Sequence, residues 1–74
     1  MANVEMKPVS SSNVSSVGYD ADQARLYVEF TSGATYLYRG VERETYNALL
    51  AAESIGKFLA AQIKGKYAYE QVSG

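Results

Sequence analysis

The stretch from Arg25 to Arg39, "RLYVEFTSGATYLYR", constrains the fold more than any other part of the chain. Both halves alternate with the period of a strand, and a glycine stands between them, so the segment reads as a β-hairpin. Two loops compete. If Ser32 and Gly33 formed a two-residue loop, Val28 would oppose Leu37, and Tyr36 and Tyr38 would turn away from Phe30. If Thr31, Ser32 and Gly33 form a three-residue loop, Val28 opposes Tyr36 and Leu26 opposes Tyr38. Leu26, Val28, Phe30, Tyr36 and Tyr38 then line one face. The three-residue loop is the better reading, because its third position is left-handed and calls for glycine. It also gathers the larger apolar area, at about 1.5–3 kcal/mol for each fully buried side chain. The opposite face then carries Tyr27, Glu29, Thr35, Leu37 and Arg39, with Tyr27 and Leu37 as an exposed apolar pair.

The rest of the chain extends this sheet and covers one side of it. Residues 1–12 are polar and serine-rich and read as a lead-in, partly disordered. Residues 13–20 form a first strand with Val17 and Tyr19 on one face, and the Asp-rich segment after it is a turn. Beyond Gly40 the period changes to helical. Tyr46, Leu49 and Leu50 mark one helix, with Glu42 and Glu44 in its first turn, where acids suit the dipole. Ile55, Phe58, Leu59 and Ile63 mark a second, with Ser54 as N-cap and Gly65 as its stop. Residues 66–72 return to strand alternation. The order β-β-β-α-α-β implies an α+β fold, an antiparallel sheet with both helices on one face, and residues 13–72 make one domain.

Composition excludes several kinds of function. The 74 residues contain neither Cys nor His, so disulfides, the usual zinc and haem sites and the common nucleophile–base pairs are out of reach. No cofactor, metal site or catalytic residue is expected, and the chain is not read as an enzyme. Without a long apolar run it has no transmembrane helix and no signal-peptide core, which implies a cytoplasmic protein. A chain this short has a thin core. Self-association through Tyr27, Leu37 and Arg39 would relieve that, because Tyr and Arg are enriched at interfaces.

Binding is the better-supported chemistry. Net charge is −1, yet from Ser54 to Lys66 there are three lysines, Lys57, Lys64 and Lys66, and no acid. Ser54, Gly56 and Lys57 stand where the second helix begins, where free backbone amides, a hydroxyl and a lysine together can hold a phosphate. Gly56 costs helix stability there, so it needs a reason, either close approach of a ligand or tight helix packing. Lys64 and Lys66 lie too far along to share that phosphate but would serve an extended strand. Tyr36 and Tyr38, with buried rings and tips toward solvent, could meet a base.

The segments "SSNVSSVGYD", "LYVEFTSGATYLYRGV" and "AAESIGKFLAAQIKGKYAY" together resemble the KTSC domain family over about residues 8–72. The family's Ser-Asn start falls on Ser12 and Asn13, its turn glycine on Gly33 and its Tyr-x-Tyr on Tyr36 and Tyr38. Its Ser-x-Gly-x-Phe helix start falls on Ser54, Gly56 and Phe58, and its final-strand tyrosine on Tyr67. The family usually has proline where this chain has Glu42. KTSC domains are named for their occurrence at the C-terminus of some lysyl-tRNA synthetases and also occur alone as short bacterial and phage proteins. The resemblance therefore implies a stand-alone module that binds RNA, with phosphate at Ser54 and Lys57 and bases near the tyrosine tips. Two alternatives use the same residues differently. One is an oligomeric phage protein that sequesters a small nucleotide signal in a closed pocket, and the other is a protein-interaction module acting through Tyr27 and Leu37.

Overall fold

The computed structural model of the protein describes residues 4–73. Five strands form one antiparallel sheet: β1 (Lys7–Pro8), β2 (Val14–Asp20), β3 (Arg25–Phe30), β4 (Thr35–Arg39) and β5 (Tyr69–Ser73). Their spatial order, β1-β2-β3-β4-β5, is also their chain order. Between β4 and β5 come α1 (Arg43–Ala51) and α2 (Ile55–Phe58), and α2 runs on as a π-helical turn over Leu59–Ile63. The fold is α+β as expected, with one strand more than the sequence pattern indicated. The lead-in contributes that strand, because Lys7 pairs with Val17 and Pro8 with Ser16.

The central hairpin has the three-residue loop. Leu26 pairs with Tyr38, Val28 with Tyr36 and Tyr27 with Leu37. The loop is closed by Phe30 N–H donating to Ala34 O at 2.8 Å and Gly33 N–H donating to Phe30 O at 2.9 Å, with Gly33 at φ +100°. A bulge in β2 between Val14 and Ser16 adds one residue to that strand. The added residue lets Val14 and Val17, at odd spacing, face the same side. At the end of β2 the Asp20 carboxylate accepts from Asp22 N–H at 3.0 Å and Gln23 N–H at 3.4 Å, making Asp20 the turn-former.

The core lies between this face and the helices. It joins Val14, Val17, Leu26, Val28 and Tyr38 to Val41, Tyr46, Leu49, Ile55, Leu59 and Ile63. Leu50, placed on the apolar stripe of α1 by its spacing, is exposed instead, and Tyr46 and Leu49 carry the stripe. Tyr46 stacks on Tyr19 at 5.0 Å between ring centroids, and the Tyr19 hydroxyl donates to Val41 O. Gly65, at φ +81°, stops the helical segment as anticipated. No helix among the described residues is long and apolar enough to cross a membrane.

The face away from the helices differs from the expectation. Leu37, anticipated as half of an exposed pair, is only 4% exposed, and Tyr27 is half-buried. Arg39 is ion-paired with Glu70 across β4 and β5. Residues 4–6 cross this face at Gly18, the residue paired with Tyr27. A Cβ built on Gly18 would lie 2.6 Å from Val4 Cγ1 and 2.7 Å from Met6 Sδ, so only glycine leaves room for this strap.

Burial makes a prediction about pH. The Tyr38 phenol is pushed above its ordinary value of 10.0 by burial and, secondarily, by its neighbours Tyr36 and Tyr69. The Tyr46 phenol is also pushed up by burial, against the opposing effect of Arg43. A folded-state pKa above the unfolded one favours the neutral phenol in the fold. That stabilisation is complete below the unfolded pKa near 10 and is lost as pH rises through the folded values. The melting temperature is therefore expected to fall above about pH 10. Tyr38→Phe should make that fall shallower, as followed by circular dichroism alongside tyrosinate absorbance.

Candidate functional site

A cleft of about 740 Å³ opens on the helix side of the sheet where β3, β4 and β5 meet the end of the helical segment. Its character comes from Phe30, Tyr36, Tyr38 and Tyr69. Phe30 meets Tyr36 edge-on at 5.5 Å, Tyr36 lies 5.7 Å from Tyr69, and Tyr38 lies 5.9 Å from Tyr69. The register explains the gathering. Val28 opposite Tyr36 and Leu26 opposite Tyr38 put both tyrosines on the core face, and β5 returns beside β4 with Tyr69 opposite Tyr38. Burial then divides the tyrosines. Tyr38 is 3% exposed and belongs to the core, Tyr36 is half-buried, and Tyr69 is 62% exposed and forms the open wall. Among the described residues no buried side-chain nitrogen or oxygen lacks a hydrogen-bond partner, so no phenol is sealed away unpaired.

One lysine joins this aromatic wall. In the π-helical turn Lys64 N–H donates to Leu59 O at 2.8 Å, five residues back. The turn and the glycine after it bring Lys64 Nζ to 5.2 Å from the centroid of the Phe30 ring. A cation over a ring face is held there by the ring's quadrupole. The cleft thus combines open aromatic surface with a positive charge.

A second cleft, of about 420 Å³, lies where the serine-rich segment meets the start of α2. Ser11, Asn13, Ser54, Gly56 and Lys57 line it, and so does Glu53. Ser54 is the N-cap, its Oγ accepting from Lys57 N–H at 3.3 Å. Gly56 faces Asn13 and Ser11, whose Nδ2 and Oγ would each be 3.7 Å from a Cβ at that position.

The residues singled out in the sequence therefore do not form one site. Tyr36, Tyr38 and Lys64 meet in the aromatic cleft, while Ser54, Gly56 and Lys57 meet in the polar one. Lys66 is exposed and lines neither, and its N–H donates to Ile63 O. Sequence reasoning missed Phe30 and Tyr69 as cleft walls. Asn13, which lines both clefts, was marked only as part of the family's Ser-Asn start and given no place in a site. Tyr69 was within reach of pattern reading, since "KYAYEQ" alternates and its strand had to pair somewhere. For Asn13 the signal was the family's Ser-Asn start, which by itself assigns no role.

Comparison with known proteins finds similarity over most of the chain. The model of the KTSC domain matches residues 10–67. A protein of Tsukamurella paurometabola is 45% identical over 62 residues, covering 84% of this chain and 92% of the relative. A protein of Stutzerimonas stutzeri is 49% identical over 49 residues, covering 66% and 69%. The crystal structure of a KTSC domain protein from Yersinia pestis superposes with a TM-score of 0.90 at 37% identity, covering 95% of this chain and 99% of that one.

Proposed function

The chain belongs to the KTSC domain family, and on that premise we propose that it is a non-catalytic module that binds nucleic acid by stacking a base in the aromatic cleft. The observation that carries this reading is the open array of Phe30, Tyr36 and Tyr69 with Lys64 beside it. Every nucleobase has a π-face, and stacking on a protein ring contributes about 1–3 kcal/mol per base. Lys64 supplies a charge for a neighbouring phosphate, and Lys57 supplies another in the polar cleft. With net charge −1 the chain has no global field to draw in a polyanion, so affinity has to come from the site itself. Both clefts are open at the surface, which suits a strand passing through better than a nucleotide sealed in a closed pocket.

Tyr69→Ala removes the exposed wall, which lies outside the core cluster but against Tyr38. It is expected to weaken binding of labelled oligouridine about ten-fold or more, with the fold retained by circular dichroism. Fluorescence anisotropy measures the binding. Lys64→Ala should lower the slope of log affinity against log salt by about 0.7, the share of one phosphate on a single strand, and Lys66→Ala should leave it alone. If the parent binds neither oligonucleotides nor nucleosides, the reading fails and a protein-interaction module replaces it.

A further inference from the structure

We infer that the two clefts are consecutive subsites for one single-stranded oligonucleotide, joined at Asn13, whose side-chain amide meets the phosphodiester between them. This rests on the reading of the aromatic cleft as a base site.

Asn13 is the residue common to both clefts. Its backbone is fixed on both sides at the head of β2. Its N–H donates to Ser11 Oγ at 3.3 Å, and its carbonyl accepts from Thr31 N–H at 2.9 Å. Its side chain is exposed and scarcely engaged. Oδ1 accepts from the adjacent Ser12 Oγ at 3.4 Å, and among the described residues Nδ2 donates no hydrogen bond. A fixed backbone carrying an open amide donor is a preorganised contact for an anionic oxygen.

Gly56 keeps that donor open. A methyl group there would lie 3.7 Å from both Nδ2 and Ser11 Oγ, in ordinary contact, and a longer side chain would extend over them. This gives the first-turn glycine a reason other than helix packing. The contact is assigned to side chains, because the short helix contributes no site of its own; Ser54 Oγ accepts from Lys57 N–H as its cap. Charge sets where along the path the phosphate stops. Lys64 stands by the aromatic end and Lys57 by the polar end, while Glu53 on the wall of the polar cleft repels an anion from going deeper. The smallest ligand that uses the whole path has a base among the aromatic rings, a phosphodiester at Asn13 and a second nucleoside in the polar cleft. A single nucleoside fills one end only.

The test is isothermal titration of the full chain with uridine, uridylyl-uridine and longer oligouridines. RNA and single-stranded DNA share this chemistry, and deoxy counterparts run in parallel separate them. For the parent, the dinucleoside monophosphate is expected to bind at least about ten-fold tighter than the nucleoside, the effect of one charge-assisted hydrogen bond with its flanking contacts. Asn13→Asp has the same shape but presents a carboxylate. It should abolish that gain with the melting temperature at the parental value, while Lys66→Ala, which lines neither cleft, should keep the gain. A parent that binds nucleoside and dinucleoside monophosphate equally overturns the joined path and leaves the aromatic base site standing. An Asn13→Asp variant that keeps the gain overturns the role of Asn13. Absence of any nucleoside or oligonucleotide binding overturns both the path and the base site.

Discussion

Gly33→Val is expected to lower the melting temperature by roughly 5–20 °C, from about 1–3 kcal/mol of backbone strain in a domain of this size. The cause is conformational alone. Nothing lies within 4 Å of a Cβ built at Gly33, so a larger side chain meets no clash there. Its φ of +100° lies where an L-residue is disfavoured, most of all a β-branched one. The loop cannot relax without breaking the hydrogen bonds between Phe30 and Ala34 and between Gly33 and Phe30, which hold Leu26, Val28, Tyr36 and Tyr38 on one face. Slipping by one residue would move that whole set to the other side. Asn tolerates positive φ better than other side chains, so Gly33→Asn should recover part of the loss. Thermal melts of the three proteins are decisive, and a valine variant that melts with the parent would show that the loop is not held at positive φ.

Gly18→Val acts by collision instead. Its Cβ would fall 2.6 Å from Val4 Cγ1, 2.7 Å from Met6 Sδ and 2.9 Å from Glu5 O. The two side chains can turn aside, but the backbone oxygen cannot, so residues 4–6 must lift off the sheet. The expected cost is about 1–3 kcal/mol, the value of one large apolar side chain returned to water. Lifting the strap also uncovers the row that runs from Gly18 through Tyr27 to Leu37. An enlarged apolar patch on a small domain promotes association. The variant should sediment as a larger species as its concentration rises, and adding Leu37→Glu should return it to the smaller one. If Gly18→Val keeps the parental melt and sedimentation, the strap does not rest on Gly18. Any self-association through Tyr27, Leu37 and Arg39 would thus require the strap to move first.

These two glycines also show what could be read from the sequence. Gly33 sits at the third position of its loop, where one turn type asks for it, and the hairpin register followed from that residue and the alternation beside it. Gly18 carried a signal of equal quality, since a glycine inside a strand marks the close approach of another backbone. That signal identifies no partner, so Leu37 was expected to be exposed. Strand β1 was illegible for a different reason. Lys7 and Pro8 are both exposed, and an edge pair with neither face in the core leaves no hydrophobic pattern. The clefts depended on tertiary placement. Tyr69 meets Tyr36 and Tyr38 because β5 comes back beside β4, and Lys64 reaches Phe30 through a π-helical turn that helical periodicity does not encode. Ser54, Gly56 and Lys57 line one cleft because they are neighbours in the chain, whereas Asn13 joins them from just before β2.

The chain order of the sheet governs the order in which it can assemble. β1 through β4 pair only with strands adjacent in sequence, so each pairing closes a short loop and can zip up from the Gly33 hairpin. The pairing of β4 with β5 is different, because it closes across both helices. Tyr69 arrives with β5, so the aromatic cleft is complete only once this edge strand has docked, and it opens when that strand frays. In native-state hydrogen exchange the amides of β5 should lose protection well before those of β2 and β3. A ligand stacked on Tyr69 would slow that loss selectively, so the kinetics of one edge strand would report occupancy of the cleft.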